Sequence, residues 1–299
     1  MSHALPAIYD FLWARQQSAT HIRVWKACKR VVRWWTGRHM VEHICRLEDP
    51  NASWYLYVEL VLSKQTKLAS SGPEVTAENV LRAKAITSHA ARVLRRRLIV
   101  LLGEIHRFQH AIQDVNHTRL EPIPSAHKKK ELERAYDAVM GSSKERDFVL
   151  MGFQHKDPYG DFRATGTIGL DHFVAFSTLQ PHDMHTIVRE SGSDSTAGQA
   201  ELVPWYSCGL ASIHVSMLLI RRFSAADVHG SIPPRAMFQM VRKEANLPLF
   251  LLRLHGRTFP AFHQFWLKKV YAGEVKSIMD FEACFRQFET SADFMDVLL

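Results

Sequence analysis

Between Met151 and Gly166 the chain places polar and charged side chains at short, regular intervals among backbone punctuators. Gly152, Gln154, Asp157, Pro158, Gly160, Asp161, Arg163 and Gly166 alternate there with the aromatics Phe153, Tyr159 and Phe162. Asp157-Pro158 and Tyr159-Gly160 are turn chemistry, so Asp161-Phe162-Arg163 is expected to leave a tight turn. Gly166-Thr167 then offers an N-cap ahead of a helix whose apolar positions Ile168, Leu170, Phe173, Val174 and Phe176 fall at helical spacing. A guanidinium is a planar cation whose paired donors match carboxylate or phosphate oxygens. On a short stiff loop Arg163 could act on something outside the chain. Spacing alone equally allows a salt bridge to Asp157, Asp161 or Asp171, which would hold the segment together and reach no partner.

Other reactive constellations are weaker. His106, His110 and Asp114 step by four along a helical stretch and share one face, a spacing that suits a metal. With 17 histidines in the chain such coincidences are easy, and Ile105, Phe108, Ile112 and Val115 mark the buried side, so the three are read as a solvated flank with no metal site. Cys28, Cys45, Cys208 and Cys284 are scattered without a paired motif and read as reduced side chains. The sequons at Asn51 and Asn116 are read as chance. No phosphate loop, nucleophile elbow or dinucleotide fingerprint is present, so no intrinsic active site and no cofactor are expected. Any chemistry would have to be completed by a partner.

The ordered set Gly152, Phe153, Gln154, Pro158, Asp161, Phe162, Arg163, Gly166, Leu170, Phe173 and Phe176 resembles the signature of the ELMO (engulfment and cell motility) domain family. Two positions depart from that pattern. Phe148 stands where the family has tryptophan, and Ala164 replaces the glycine after the arginine, which disfavours left-handed backbone there. The resemblance to the short ELMO-domain-containing proteins continues in Trp34-Trp35-Thr36-Gly37, in Phe262-His263-Gln264-Phe265 and in Ser277-Ile278-Met279-Asp280-Phe281. Those relatives act as GTPase-activating proteins for Arl and Arf small GTPases. The resemblance therefore implies that Arg163 is inserted in trans as an arginine finger on a GTP-loaded Arf/Arl-family partner. Asp161 would then restrain the loop, Phe162 pin it to the core, and Gln154 position the loop or touch the partner. Gly152, Phe153, Asp157, Pro158 and Gly166 would shape it. The rival reading is a non-catalytic binding module, like the larger members that partner exchange factors, or a peripheral membrane adaptor.

The elements that must carry these residues are almost entirely helical, and the expected fold is all-α. A packed N-terminal helical region is expected over 1–124 and an ELMO domain core over 125–299. From Thr76 to Val115 apolar residues recur at three and four, implying one helix or two stacked with a kink near Gly103. Further helices are expected at Lys128–Val139, Thr167–Leu179, His182–Arg189, Cys208–Phe223, Pro234–Ala245, Pro260–Tyr271 and Val275–Glu289. Trp54 to Leu62 alternates like a strand, although a lone strand in a helical chain has nothing to pair with. Glu190 to Gln199 reads as a flexible polar insertion.

The net charge of +8 is unevenly spread. Arg23, Lys26, Lys29, Arg30 and Arg33 are interleaved with Trp25, Trp34 and Trp35, a composition that can lie on anionic lipid. The alternative is a docking helix with its aromatics in the core and its cations solvated. No nucleic-acid motif accompanies the charge. Without a long apolar run or a recognisable leader, the protein is expected in the cytoplasm, with an internal membrane surface as the site of any lipid contact.

Overall fold

The structure is a computed structural model, and it describes residues 19–63, 72–86, 90–120, 125–142, 145–192, 204–228, 235–244 and 246–298. Among these residues the chain is helical, with no strand. It divides into two compact units, Met1–Gln113 with Phe223–Ala245, and Asp114–Arg222 with Asn246–Leu299. The polar insertion expected after Glu190 lies outside the described residues from 193 onward.

In the first unit lie α1 (Ala19–Thr36), α2 (Met40–Cys45), α3 (Ala52–Leu62), α4 (Pro73–Ala83), the greater part of α5 (Ala90–Leu120) and, after α9, α10 (Arg235–Lys243). Helix α3 forms the heart of the unit, since every residue from Ala52 to Leu60 is buried. A helix covered on all sides shows no one-sided apolar stripe, which is why its sequence could be taken for a strand. Tyr57 of α3 and Phe238 of α10 lie 6.2 Å apart, and Phe108 of α5 lies 4.9 Å from Phe238. From α10, Arg242 reaches the Pro50 carbonyl and the Glu104 carboxylate, each at 3.0 Å.

The break in the Thr76–Val115 pattern falls at Lys84–Ile86, whereas Gly103 sits inside α5. After α4 the backbone turns left-handed at Ala85 (φ 51°), and the Ile86 and Ala85 amides donate to the carbonyls of Leu81 and Arg82, both at 3.0 Å. That double bond closes a helix end. Usually glycine holds the left-handed position, so alanine leaves the stop unmarked.

To the second unit belong the end of α5, α6 (Ser125–Met140), α7 (Gly166–Leu179), α8 (Pro181–Glu190), the first part of α9 (Cys208–Val228), α11 (Leu247–Tyr271), α12 (Phe281–Glu289) and α13 (Ala292–Leu298). Two short 3-10 helices, Phe148–Met151 and Pro158–Ala164, join α6 to α7, and a third, Ile278–Asp280, precedes α12. Helix α7 packs against α6, α8 and α11. Helix α11 begins at Leu247, earlier than the expected Pro260. Asn246 caps it, accepting from the Leu249 amide at 3.0 Å, and Pro248 sits in the first turn. Pro260 lies within the helix without ending it. Leu251, Leu254, Phe259, Phe262 and Trp266 are buried on either side of the proline, and that common apolar face holds the helix together against the lost amide donor.

Candidate functional site

The loop that carries Arg163 is built on an aromatic box. Tyr136 of α6 meets Phe148 edge-on at 5.1 Å, Phe148 meets Phe153 at 6.1 Å, and Phe153 meets Phe173 of α7 at 4.9 Å. Phe162 closes the box at 5.5 Å from Phe153 and is fully buried. Its burial is what fixes the next residue at the surface. Gly152 turns left-handed (φ 80°) to end the first 3-10 helix and swings Phe153 into the box.

The segment bearing Arg163 is itself a 3-10 helix, Pro158–Ala164, which replaces the tight turn expected there. Asp157 caps it by accepting from the Tyr159 amide at 3.1 Å, while the Pro158 ring, buried, preorganises the first turn. Asp161 accepts from the Gln154 amide at 3.0 Å, tying the two ends of the loop together. Gly166 then opens α7 with φ 58°, and a side chain there would collide with the Arg119 carbonyl. The helix is preceded by Thr165, so the N-cap expected of Gly166-Thr167 lies one residue earlier and makes no side-chain cap bond.

Arg163 is exposed, and among the described residues it makes no hydrogen bond or ion pair. The three carboxylates that spacing offered to it are engaged elsewhere or held apart: Asp157 and Asp161 on backbone amides, Asp171 on Lys128. Gln154 contributes to the loop through its backbone only, and its exposed side chain has no partner among the described residues. Ala164 lies in the 3-10 helix with negative φ, so the missing glycine costs the backbone nothing at this position.

Two features of the site have no local signature in the sequence. Gly209, at the start of α9, gives Phe153 its room, since a Cβ there would lie 2.7 Å from the ring. Beside the loop a groove of about 320 Å³ is lined by Lys129, Glu133, Glu145, Arg146, Lys156 and Tyr159, among others. Arg146 is locked to Asp137 by two 2.7 Å bonds, whereas Lys156 and Glu145 pair at 3.1 Å in solvent.

In the first unit the basic helix α1 matches neither reading fully. Trp25 is buried as a core residue, but Trp34 and Trp35 are 87% and 77% exposed. Lys29 is withdrawn from the free cations, because it bonds the buried Glu59 carboxylate at 2.6 Å and lies over the Trp25 ring. Arg23, Lys26, Arg30 and Arg33 remain exposed. The four cysteines are free thiols, and burial pushes Cys45 up to about 12 and Cys284 to about 11, so these two are inert at neutral pH. Among the described residues no group of side chains is arranged to hold a metal, and no helix is long and apolar enough to cross a membrane.

Among the described residues the chain is all-helical, and Arg163 stands exposed on a 3-10 helix anchored by buried aromatics. The profile of the ELMO/CED-12 family matches residues 104–285, and the chain belongs to that family. ELMO domain-containing protein B of Dictyostelium discoideum is 24% identical over 288 residues, covering 90% of this chain and 94% of that protein. ELMO domain-containing protein 1 of Pongo abelii is 29% identical over 292 residues, covering 89% and 86%. ELMO domain-containing protein 2 of Mus musculus is 28% identical over 138 residues, covering 44% and 47%. No solved structure matches the chain.

Proposed function

We propose that this protein is a GTPase-activating protein for Arf/Arl-family small GTPases, with Arg163 as the residue it contributes to the partner's active site. The observation that carries this reading is the state of Arg163: exposed, without an ion pair among the described residues, and displayed beside a fully buried anchor, Phe162. A purely structural arginine would have been absorbed by one of the nearby carboxylates, which instead stiffen the loop through amide bonds. A GTP-bound GTPase supplies the nucleotide, magnesium and a residue that orients water. What it lacks is positive charge at the phosphoryl group in the transition state. A guanidinium inserted from outside supplies that charge, an effect of about 10³ to 10⁵ in rate. A planar fork reaching two oxygens at once also explains why lysine would be a poor substitute.

The exposed side chain of Gln154 and the groove lined by Lys129, Glu133 and Lys156 offer the surface on which a partner would be oriented. The decisive test is single-turnover GTP hydrolysis by a panel of Arf and Arl proteins with and without this protein. Arg163→Ala and Arg163→Lys should both abolish the acceleration and leave partner affinity nearly unchanged, because the charge acts in the transition state. Equal acceleration by wild type and Arg163→Ala would overturn the assignment.

A further inference from the structure

Helix α1 divides into three stripes at about 100° per residue. Trp25, Cys28, Lys29 and Val32 turn toward the body of the first unit. Of the exposed remainder, one side carries Lys26, Arg30 and Arg33, and the other carries Val24, Ala27, Val31 and Trp35, with Arg23 and Trp34 on the seam. The basic side opens onto a cavity of about 310 Å³, where Lys26, Lys29, Arg30 and Arg33 of α1 converge with His39 and Lys84. Glu59 satisfies Lys29. Among the described residues Lys26, Arg30, Arg33 and Lys84 have no ion-pair partner.

Cations left facing one another across a cavity repel. Burial and the charge of Lys29, with a smaller push from Arg33, hold the Lys84 ammonium below its ordinary value against the pull of Glu59, and burial with Arg33 and Lys84 lowers His39 against Glu42. Such an arrangement is relieved by a polyvalent anion, since Lys26, Arg30 and Arg33, with Lys84 only partly offset by Glu59, exceed what a single monoanion would neutralise. The walls offer few acceptors, so a zwitterionic headgroup would leave its ammonium unpaired. The adjacent apolar stripe supplies the second half of the fit. Among the described residues Trp34 and Trp35 are largely exposed, and an indole is well suited to the boundary between headgroups and acyl chains.

We propose that this face is a docking site for an anionic bilayer, with the phosphates of a phosphorylated inositol headgroup seated between Lys26, Arg30, Arg33 and Lys84 and with Trp34 and Trp35 inserted beside it. The site is independent of the GTPase reading, since it uses no residue of the 152–166 loop.

The test is co-sedimentation of the full chain with three vesicles: phosphatidylcholine alone, and the same lipid doped to equal surface charge with phosphatidylserine or with phosphatidylinositol 4,5-bisphosphate. Wild type should bind the last about tenfold more tightly than the phosphatidylserine vesicles. Arg30→Glu with Arg33→Glu should weaken that binding by about 10² or more, since each basic residue near such a surface is worth about fivefold and each reversal of charge counts about twice. Trp34→Ala with Trp35→Ala should weaken binding to both charged vesicles without altering the helical circular dichroism, and Arg163→Ala should bind as wild type does. Equal partition between the charge-matched vesicles would overturn the headgroup site, as would an unaffected tryptophan double variant for the insertion. Tight binding of soluble inositol trisphosphate with no vesicle binding would overturn the bilayer as its occupant.

Discussion

Replacing Phe162 with alanine separates the part of the loop that holds from the part that acts. The ring is fully buried and lies 5.5 Å from Phe153 and 6.2 Å from Phe173, so truncation removes it from a closed aromatic box. Loss of its burial accounts for about 2 to 3 kcal/mol. The void left among Phe153, Phe173 and their neighbours raises the total to about 3 to 5 kcal/mol. Arg163→Ala, one residue away, removes an exposed side chain with no ion-pair partner among the described residues and should cost about 0.5 kcal/mol or less. Urea denaturation reads the contrast directly: the midpoint falls sharply for Phe162→Ala and hardly moves for Arg163→Ala, with the slope unchanged in both. Phe162→Leu keeps most of the volume and should cost about 1.5 kcal/mol or less. That variant remains folded, so any loss of GTPase activation in it reports on how firmly the anchor aims the arginine. Equal midpoints for the two alanine variants would show that the ring contributes nothing to the box and that the loop is held in some other way.

Two further consequences concern buried ionisable groups. Lys29→Ala removes the paired cation from the buried Glu59 carboxylate, which burial already pushes above its ordinary value and which retains its bond from the Ser63 hydroxyl, and should destabilise by about 3 kcal/mol in urea, while Glu59→Gln in the same background should restore part of the loss. A Lys29→Ala protein as stable as wild type would mean the pair is incidental. In the second unit His255 is held neutral by burial, its value lowered from 6.5 to about 4, and its Nε2 lies 3.2 Å from the Ser212 carbonyl. From about pH 7.5 upward the ring is neutral folded or unfolded and contributes no pH dependence. As pH falls from 6.5 toward about 4, the unfolded chain takes up a proton that the folded chain refuses, so stability declines by about 3 kcal/mol over that window. Urea midpoints followed from pH 7.5 to 4.5 should show this decline flattened in His255→Gln, and an unchanged slope would place the proton uptake elsewhere.

What could be read from the sequence, and what could not, follows from how far apart the interacting residues lie. The 152–166 loop was legible because its chemistry is local: Asp157 caps Tyr159, Asp161 reaches back to Gln154, and Gly152 and Gly166 mark left-handed backbone with the residue suited to it. Its exact form was not, since an aspartate and a proline start a 3-10 helix as readily as a turn. The missed start of α11 at Asn246-Leu247-Pro248 was also local, but Pro260 inside the helix carried the stronger conventional signal for a start. Helix α3 and the end of α4 misled for different reasons. The first is buried on every side and shows no period. The second stops at an alanine in a conformation that alanine seldom takes. The fate of the three tryptophans in α1 depended on a partner with no local trace. Trp25 is buried on the same face as Lys29, one helical turn on, which bonds Glu59 of α3, and the two contacts together fix which face of α1 turns inward. Once the rotation is set, the helical period brings Trp34, nine positions beyond Trp25, to the opposite face and Trp35 to the flank about 80° from Trp25. Trp34 and Trp35 are thus exposed as a consequence of the core contact, and the same contact turns Lys26, Arg30 and Arg33 toward the cavity they share with Lys84.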